Sequence, residues 1–210
     1  MVSTKPAAAH IILLGGGFGA ALALPGMFMW LLGLYLMAST AYSFGLKKRA
    51  IVDVLVLAGL YTIRIYAGAE AIGAILTPWL LAFSGFVFLS LAFIKRSSEL
   101  LALGGMGGNS VPGRGYSVGD VQFVLSVGPA SGYMACLVLA LYVSSPDVAK
   151  LYSSPGLLWL LCPVLLYWIS WVWLICSRKE MHQDPIVFAA RDRTSYVVAA
   201  IGGFIMFLAK

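Results

Sequence analysis

The chain has 210 residues, a net charge of +6 and a mean hydropathy of +0.93, and 61% of its residues are hydrophobic while 10% are charged. A soluble domain carries about 25% charged residues, so this composition excludes an ordinary soluble globular protein and indicates an integral membrane protein. The positive charge does not indicate nucleic-acid binding, because ten of the fourteen Lys and Arg residues lie in three polar loops between apolar runs, as cytoplasmic loops of membrane proteins do.

Seven apolar runs predict an all-α, polytopic bundle that forms a single transmembrane domain over residues 1–210. The bundle is predicted to have about seven spans, which in chain order cover about 8–24, 27–44, 51–67, 74–94, 120–144, 156–176 and 194–209. If the basic loops are cytoplasmic, the N-terminus is inside and the C-terminus outside. The first run also fits a cleaved signal peptide, but the loop charges balance better with that span retained. Small residues in VGPASG (127–132) predict close helix contacts.

The three basic loops cover residues 45–50, 95–119 and 177–193, and the seven-span topology places them on one face of the membrane. Each has an ordinary explanation: topology determinants or contacts with anionic lipid for the first, a solvated connector for the second, and a solvated amphipathic turn for the third. Together they would surround one mouth with cations and carboxylates. This convergence predicts a site for a phosphorylated substrate at the membrane surface, with a lipid tail among the helices.

Two ionisable residues lie on one stripe of the predicted span 51–67. Asp53 and Arg64 are eleven residues apart, which is about 16 Å along a helix and too far for a direct ion pair. Charged residues inside a membrane span are costly and usually face the bundle interior, so both are candidates to line a polar cavity. A structural partner on another helix, or snorkelling to the interface, explains Arg64 equally well, and stabilisation of a helix N-terminus is the alternative for Asp53.

The loops 95–119 and 177–193 contain further candidates for phosphate and metal binding. Glycines in the loop 95–119 permit a close backbone approach to an anion, and Arg114 offers a bidentate donor. The loop 177–193 alternates carboxylates with cations, and Asp184 and Asp192 could provide oxygen ligands for Mg²⁺. His182 is a lone histidine and more typical of a surface residue than of a metal ligand.

Four segments of the chain resemble the UbiA superfamily of membrane prenyltransferases: residues 41–73, 81–103, 113–120 and 184–193. Within it, the sequence is most similar to the decaprenyl-phosphate phosphoribosyltransferase branch and to relatives with a haloacid-dehalogenase-like domain ahead of the membrane part. The resemblance implies a nine-span helical bundle in the bacterial inner (cytoplasmic) membrane, with a Mg²⁺-diphosphate site at the cytoplasmic mouth and a lateral opening for a polyprenyl chain.

One feature of the superfamily is not found in this sequence. The first aspartate-rich motif, N-D-x-x-D, lies between the second and third spans of the family, and the run 8–24 aligns best with the third span. The expectation is therefore a chain that corresponds to the last seven spans, with a separate chain as a possible supplier of the others. A non-catalytic remnant or a lipid-binding membrane subunit is the alternative to an enzyme. A transporter is less favoured, because no inverted repeat relates the first and last spans.

The resemblance also implies an activity and assigns candidate residues by matching position. The implied reaction transfers a prenyl or phosphoribosyl group, with a polyprenyl (di)phosphate lipid and a small phosphorylated or aromatic co-substrate as partners. The candidates are Tyr42, Lys47, Asp53 and Glu99 as catalytic residues, Lys95, Arg96, Arg114, Tyr116 and Arg64 as phosphate-binding residues, and Asp184 and Asp192 as metal ligands.

Overall fold

The structure is a computed structural model that describes residues 24–105, 113–181 and 184–210, together with Gly19 and Gly108. Over these residues the chain is helical and contains no strand, which confirms the all-α prediction. The α-helices are α1 (Gly26–Phe44), α2 (Val52–Ile72), α3 (Pro78–Gly105), α4 (Val121–Val143), α5 (Pro146–Leu151), α6 (Leu161–Ser177), α7 (Pro185–Ala189) and α8 (Arg193–Ala209). Short 3₁₀ turns cover Leu46–Lys48, Val118–Asp120 and Pro155–Leu160.

Five of the described helical stretches are long and apolar enough to cross a membrane, so the chain is an integral membrane protein. They are α1, α2, α3, α4 with its preceding 3₁₀ turn, and α6 with its preceding 3₁₀ turn. Helix α8 is apolar but shorter, with 17 residues. The predicted run 8–24 lies almost wholly outside the described residues. The expected number of about seven spans is therefore not confirmed.

Helix α3 is longer than the sequence predicted. The predicted span ended at residue 94, and Lys95, Arg96 and Glu99 were assigned to a loop. The helix instead continues to Gly105, so these three residues lie on its last turns and the loop assignment was wrong for them. The charge of Arg96 does not end the helix, because the side chain is buried against carboxylates, while Leu100 in the next turn packs into the core.

The main core is formed by α2, α3, α4 and α6, with Phe93 and Trp173 among its buried residues. Two glycines of α4 allow the close approach that the VGPASG run predicted. A Cβ atom at Gly128 would lie 2.1 Å from Cη2 of Trp173, and one at Gly132 would lie 2.6 Å from Cγ2 of Ile169. Neither position could hold a side chain unless these neighbouring side chains moved.

A buried hydrogen-bond chain links α3, α4 and α6 at the same level. The Trp173 indole Nε1–H donates to the Ser90 hydroxyl over 2.9 Å, and that hydroxyl donates to the Gly128 carbonyl, also over 2.9 Å. In a membrane interior such bonds satisfy polar groups that lipid cannot solvate. The three helices are thereby held in one register, which fixes where the C-terminal turns of α3 present their charged residues.

Candidate functional site

Asp53 is at the centre of a network of charged and polar side chains. It lies in the first turn of α2 with 0% of its surface exposed. Its Oδ1 accepts hydrogen bonds from the Tyr42 hydroxyl at 2.8 Å and from Arg114 Nη1 at 3.0 Å, and its Oδ2 forms an ion pair with Nε of Arg96. One carboxylate therefore connects the end of α1, the end of α3 and the segment before α4.

Arg96 is the most deeply buried cation of the described residues, with 1% of its surface exposed. Besides Asp53 it contacts Glu99, one turn further along α3, and its Nη2 lies 3.3 Å from the Tyr42 hydroxyl. Buried charges are tolerated only when they are paired and hydrogen-bonded. We call Tyr42, Asp53, Arg96, Glu99 and Arg114 the buried charge cluster. Its two carboxylates and two guanidinium groups sum to a formal charge of zero.

Arg114 is held more loosely than Arg96 and reaches the surface. Its Nη1 donates to the Tyr42 hydroxyl at 2.8 Å as well as to Asp53, while 21% of its side chain stays exposed. The guanidinium carbon lies 6.0 Å from the centre of the Tyr42 ring. Arg114 is therefore the cation of the cluster that can reach an anion from outside without breaking the Asp53–Arg96 pair.

Tyr116 supports the backbone beneath the site. It is buried, and its hydroxyl accepts a hydrogen bond from the Ile51 amide at 2.8 Å. Ile51 has φ +67°, which is rare for a β-branched residue and costs on the order of 1–3 kcal/mol. Burial raises the pKa of Tyr116, and the amide hydrogen bond opposes this rise. This placement gives no support to the predicted contact between Tyr116 and a substrate phosphate, which stays a prediction.

Gly115 allows the segment with Arg114 and Tyr116 to lie against the turn between α1 and α2. A Cβ atom at Gly115 would be 2.5 Å from the Lys48 carbonyl oxygen and 2.6 Å from the Ala50 amide nitrogen. Only glycine fits this contact between two backbones. Gly115 was not among the residues predicted from the sequence, although its place between Arg114 and Tyr116 was the available signal.

Gly115→Ala should loosen this segment, because the added methyl group would push it away from the turn. We expect the Tyr116–Ile51 hydrogen bond to weaken and hydrogen exchange of the Ile51 amide to become at least about tenfold faster, which corresponds to about 1.4 kcal/mol. Exchange measured by mass spectrometry on a peptide that spans the start of α2 would show this. Gly119→Ala is the matched control, because its nearest neighbour, Ser117 Oγ, is 3.6 Å away. Unchanged exchange in Gly115→Ala would contradict the close contact.

Asp184 joins the site, and Asp192 does not. The Lys95 Nζ atom lies 2.7 Å from Asp184 Oδ2, and about a third of each side chain is exposed. Lys95 is one helical turn before Glu99 on α3, so this ion pair borders the buried charge cluster. Asp192 instead caps α8, where its Oδ2 accepts hydrogen bonds from the Ser195 amide at 2.8 Å and the Ser195 hydroxyl at 3.1 Å.

The described carboxylates do not form a ligand set for Mg²⁺. Asp53 and Glu99 are paired with arginines, Asp184 with a lysine, and Asp120 and Asp192 cap helices. Over residues 24–105, 113–181 and 184–210 no three His, Cys, Asp or Glu side chains lie close enough together to hold a metal ion. Residue His182 lies outside the described residues. The predicted metal roles of Asp184 and Asp192 stay predictions.

Lys47 lies on a basic turn that borders the cluster. The turn Leu46–Lys48 precedes α2, and the Lys48 carbonyl is the group that faces Gly115. Lys47 is half-buried, while Lys48 and Arg49 are exposed. Because the buried charge cluster is internally neutral, these three cations give the mouth of the site its excess of positive charge.

Arg64 is separate from the buried charge cluster. Its guanidinium carbon lies 4.9 Å from the centre of the Tyr35 ring and 5.2 Å from that of Tyr61, and its Nη2 donates to the Tyr35 hydroxyl. These contacts link α1 to α2 through cation–π and hydrogen-bond interactions. The structure thus favours the structural-partner interpretation of Arg64.

An apolar groove of about 570 Å³ lies between α2 and α3. It begins at Leu55, two residues after Asp53, and continues to Tyr66, which is about 16 Å along α2. Gly59 and Gly85 add no side chain to the facing surfaces of the two helices, and none of the described residues that line the groove is charged. The groove thus begins near the level of Asp53 and extends along α2 and α3 toward their other ends, although no member of the buried charge cluster is among the described residues that line it.

No protein-family model matches the sequence. The chain is 37% identical over 194 residues to the uncharacterized protein y4nM of Sinorhizobium fredii, and 35% identical over 163 residues to the nodulation protein NoeC of Azorhizobium caulinodans. These matches cover 92% and 78% of this chain. A weaker match, 28% identical over 110 residues and 46% of this chain, is to a decaprenyl-phosphate phosphoribosyltransferase of Corynebacterium glutamicum.

The chain spans only part of each of these relatives. It covers 38% of y4nM, 53% of NoeC and 33% of the phosphoribosyltransferase. The similarity to the phosphoribosyltransferase therefore covers less than half of this chain and a third of that relative, and it only loosely suggests a transferase that acts on lipid phosphates.

Proposed function

We propose that this protein is a UbiA-type transferase that acts on a polyprenyl (di)phosphate lipid at the cytoplasmic face of a bacterial inner membrane. The observation that carries the proposal is that an apolar groove about 16 Å long begins two residues along α2 from Asp53 of the buried charge cluster. A lipid with a phosphate head and an isoprenoid tail has the matching distribution of charge and apolar surface. The similarity to a decaprenyl-phosphate phosphoribosyltransferase supports the same substrate class.

In this proposal the partly exposed cations contact the phosphate oxygens. Arg114 is partly exposed, Lys47 lies on the turn before α2, and Lys95 lies on α3, where it pairs with Asp184. Arg96 would act from beneath, because direct contact with a phosphate would require its pair with Asp53 to open. Asp53 and Arg96 are then positioning residues that hold Arg114 and Tyr42 in place.

The proposed reaction moves a prenyl or phosphoribosyl group to an acceptor oxygen or carbon. The bond between that group and a pyrophosphate breaks, and its electron pair leaves with the pyrophosphate. Cations aimed at the leaving oxygens stabilise the charge that develops there. Glu99, which is partly exposed beside Arg96, is placed to hold a polar group of the co-substrate.

Magnesium belongs to the proposal through the family resemblance alone, because the described carboxylates do not fit a site for this ion. On the resemblance, we expect transfer to stop when a chelator is added and to return with Mg²⁺. Transfer activity that persists in the presence of the chelator would show that Mg²⁺ is not required, and the proposal would then depend on the cationic residues alone.

Transfer can be measured in membranes that contain the expressed chain. The assay would supply a polyprenyl phosphate with labelled phosphoribosyl diphosphate in one arm, and an aromatic acceptor with labelled prenyl diphosphate in the other. We expect labelled lipid in one arm, and a loss of about 10²-fold in Arg114→Ala, because a charge-stabilising donor is removed. Lys210→Ala, at the far end of α8, is the control that should keep full activity. If membranes without the chain formed as much labelled product as membranes with it, the proposal would be wrong.

A lipid-binding subunit without catalysis is the second candidate, and the internal neutrality of the buried charge cluster favours it. A site whose carboxylates are already paired can attract a lipid phosphate through Lys47 and its neighbours without any reaction. Trp30 and Phe44 of α1 are each at least 80% exposed, which suits contact with the helices of a separate chain. Binding of labelled polyprenyl phosphate that Lys47→Ala weakens, with no transfer in either arm, would identify this function.

A further inference from the structure

A second apolar groove, of about 470 Å³, lies between α6 and α8, away from the helices that form the groove described above. Three described residues of α6 and five of α8 line it, among them Tyr167 of α6 and Arg193, Thr194, Val197 and Ile201 of α8. The Trp168 indole donates to the Ser195 hydroxyl at 2.9 Å, which fixes the level at which the two helices meet.

The polar groups of this groove are gathered at one end. Arg193 and Thr194 form the first turn of α8, and Tyr167 faces them from α6, next to the Trp168 contact. Ile201 lies eight residues further along α8, about 12 Å away, in a part of the groove that is apolar. The groove therefore has the polarity of a lipid, with one polar end and one apolar end.

Among the described residues that line the groove, Arg193 is the only charged one. Within the part of the chain that the structure describes, its side chain makes no hydrogen bond and no ion pair. The neighbouring Asp192 carboxylate is directed to the Ser195 amide and hydroxyl through its Oδ2, and Arg191 adds a further positive charge on the same turn. The polar end of the groove thus carries an exposed cation that the described residues do not compensate.

We propose that this groove is a binding site for a phospholipid with an anionic head group. The phosphate would accept hydrogen bonds from the guanidinium group of Arg193, with Thr194 and Tyr167 beside it. One acyl chain would lie along Val197 and Ile201. Arginine matches phosphate geometry bidentately, and basic residues near a membrane surface attract anionic lipids. A free phosphate would leave the apolar part unused, so the occupant is a lipid. The site shares no residue with the proposed transferase site and does not depend on it.

Native mass spectrometry of the full chain in detergent can test this site. The probe is phosphatidylglycerol, compared with phosphatidylcholine of the same acyl chains. We expect Arg193→Gln to weaken phosphatidylglycerol binding about fivefold and to leave phosphatidylcholine binding unchanged, since one cation near the head groups is worth about 1 kcal/mol. Arg191→Gln is the matched control: it removes the same charge from an exposed residue that does not line the groove.

A second variant tests the apolar part of the groove. Ile201→Trp places a large side chain in the groove and should displace phosphatidylglycerol even though Arg193 is intact, while circular dichroism reports whether the helices are retained. Equal weakening by Arg191→Gln and Arg193→Gln would show a diffuse surface attraction and overturn the site. Equal binding of the two lipids by the wild-type chain, or full phosphatidylglycerol binding by both variants, would overturn it as well.

Discussion

Asp53→Asn is expected to unfold the site end of the bundle and to abolish phosphate binding. The change removes the one carboxylate that pairs with both Arg96 and Arg114, and it leaves Arg96 buried with only Glu99 as a charged partner. Removing one partner of a buried ion pair costs about 3–5 kcal/mol, because the remaining charge cannot be solvated. Thermal unfolding in detergent, followed by circular dichroism, should show a large fall in the midpoint.

Asp120→Asn is the matched control for this experiment. Asp120 lies on the same end of the bundle, but it only accepts hydrogen bonds from the Ser117 amide and hydroxyl, and asparagine can accept them too. Its unfolding midpoint should stay close to that of the wild type. If the unfolding midpoint of Asp53→Asn is as close to that of the wild type as the midpoint of Asp120→Asn, then Asp53 is no more than a helix-terminal charge, and the buried charge cluster is not a stabilising unit.

The double variant Asp53→Asn with Arg96→Met separates stability from binding. Replacing a buried ion pair by uncharged groups of similar volume often restores stability, because both desolvation costs disappear. We therefore expect the double variant to recover much of the lost stability. Arg114 would still lack its carboxylate partner, so binding of polyprenyl phosphate should remain weak. A double variant as unstable as Asp53→Asn would contradict this account.

Gly128→Ala is expected to destabilise the core by about 1–3 kcal/mol, because the new methyl group overlaps the Trp173 ring and forces α4 away from α6. The movement would also break the hydrogen bonds that join Trp173, Ser90 and the Gly128 carbonyl. Thermal unfolding in detergent measures the loss. Gly203→Ala on α8 is the control, because no atom lies within 4 Å of its added Cβ.

Trp173→Phe offers a suppressor of the glycine substitution. Two of the three atoms that would clash, Cη2 and Cζ2 of Trp173, belong to the outer part of the indole ring, and phenylalanine lacks them, whereas the contact with Phe93 Cβ at 2.9 Å stays. In the Gly128→Ala background this change should recover part of the lost stability, although alone it should cost stability through the lost indole hydrogen bond. Additive losses in the double variant would show that the Gly128–Trp173 contact does not limit the packing of α4.

Hydropathy located most of the described helices well. The predicted spans 27–44 and 120–144 correspond to α1 and α4 within a few residues. The run 51–67 continues by five residues in α2, and the run 74–94 by eleven in α3. The α3 error has a physical cause: its charged residues were taken as the end of the span, whereas a charge that finds a buried partner lets the helix continue.

The residues of the candidate site were predicted from the sequence better than the contacts between them. Tyr42, Asp53, Arg96, Glu99 and Arg114 all came from the sequence, and the structure brings them together. No pattern in the sequence indicated that Arg64 contacts Tyr35, that Asp192 caps α8, or that Tyr116 accepts a hydrogen bond from the Ile51 amide. Each of these depends on a partner that is remote in the chain or on a local backbone conformation.

The sequence by itself determined that this is a membrane protein of apolar helices with basic connecting segments, because hydropathy and charge are properties of each residue and sum along the chain. Only the tertiary structure decided which charges are neutralised. Asp53 and Arg96 are 43 residues apart, and their burial depends on how α2 meets α3. The free energy of a buried charge is set by the few ångströms around it, and no local pattern in the sequence records which neighbours occupy that space.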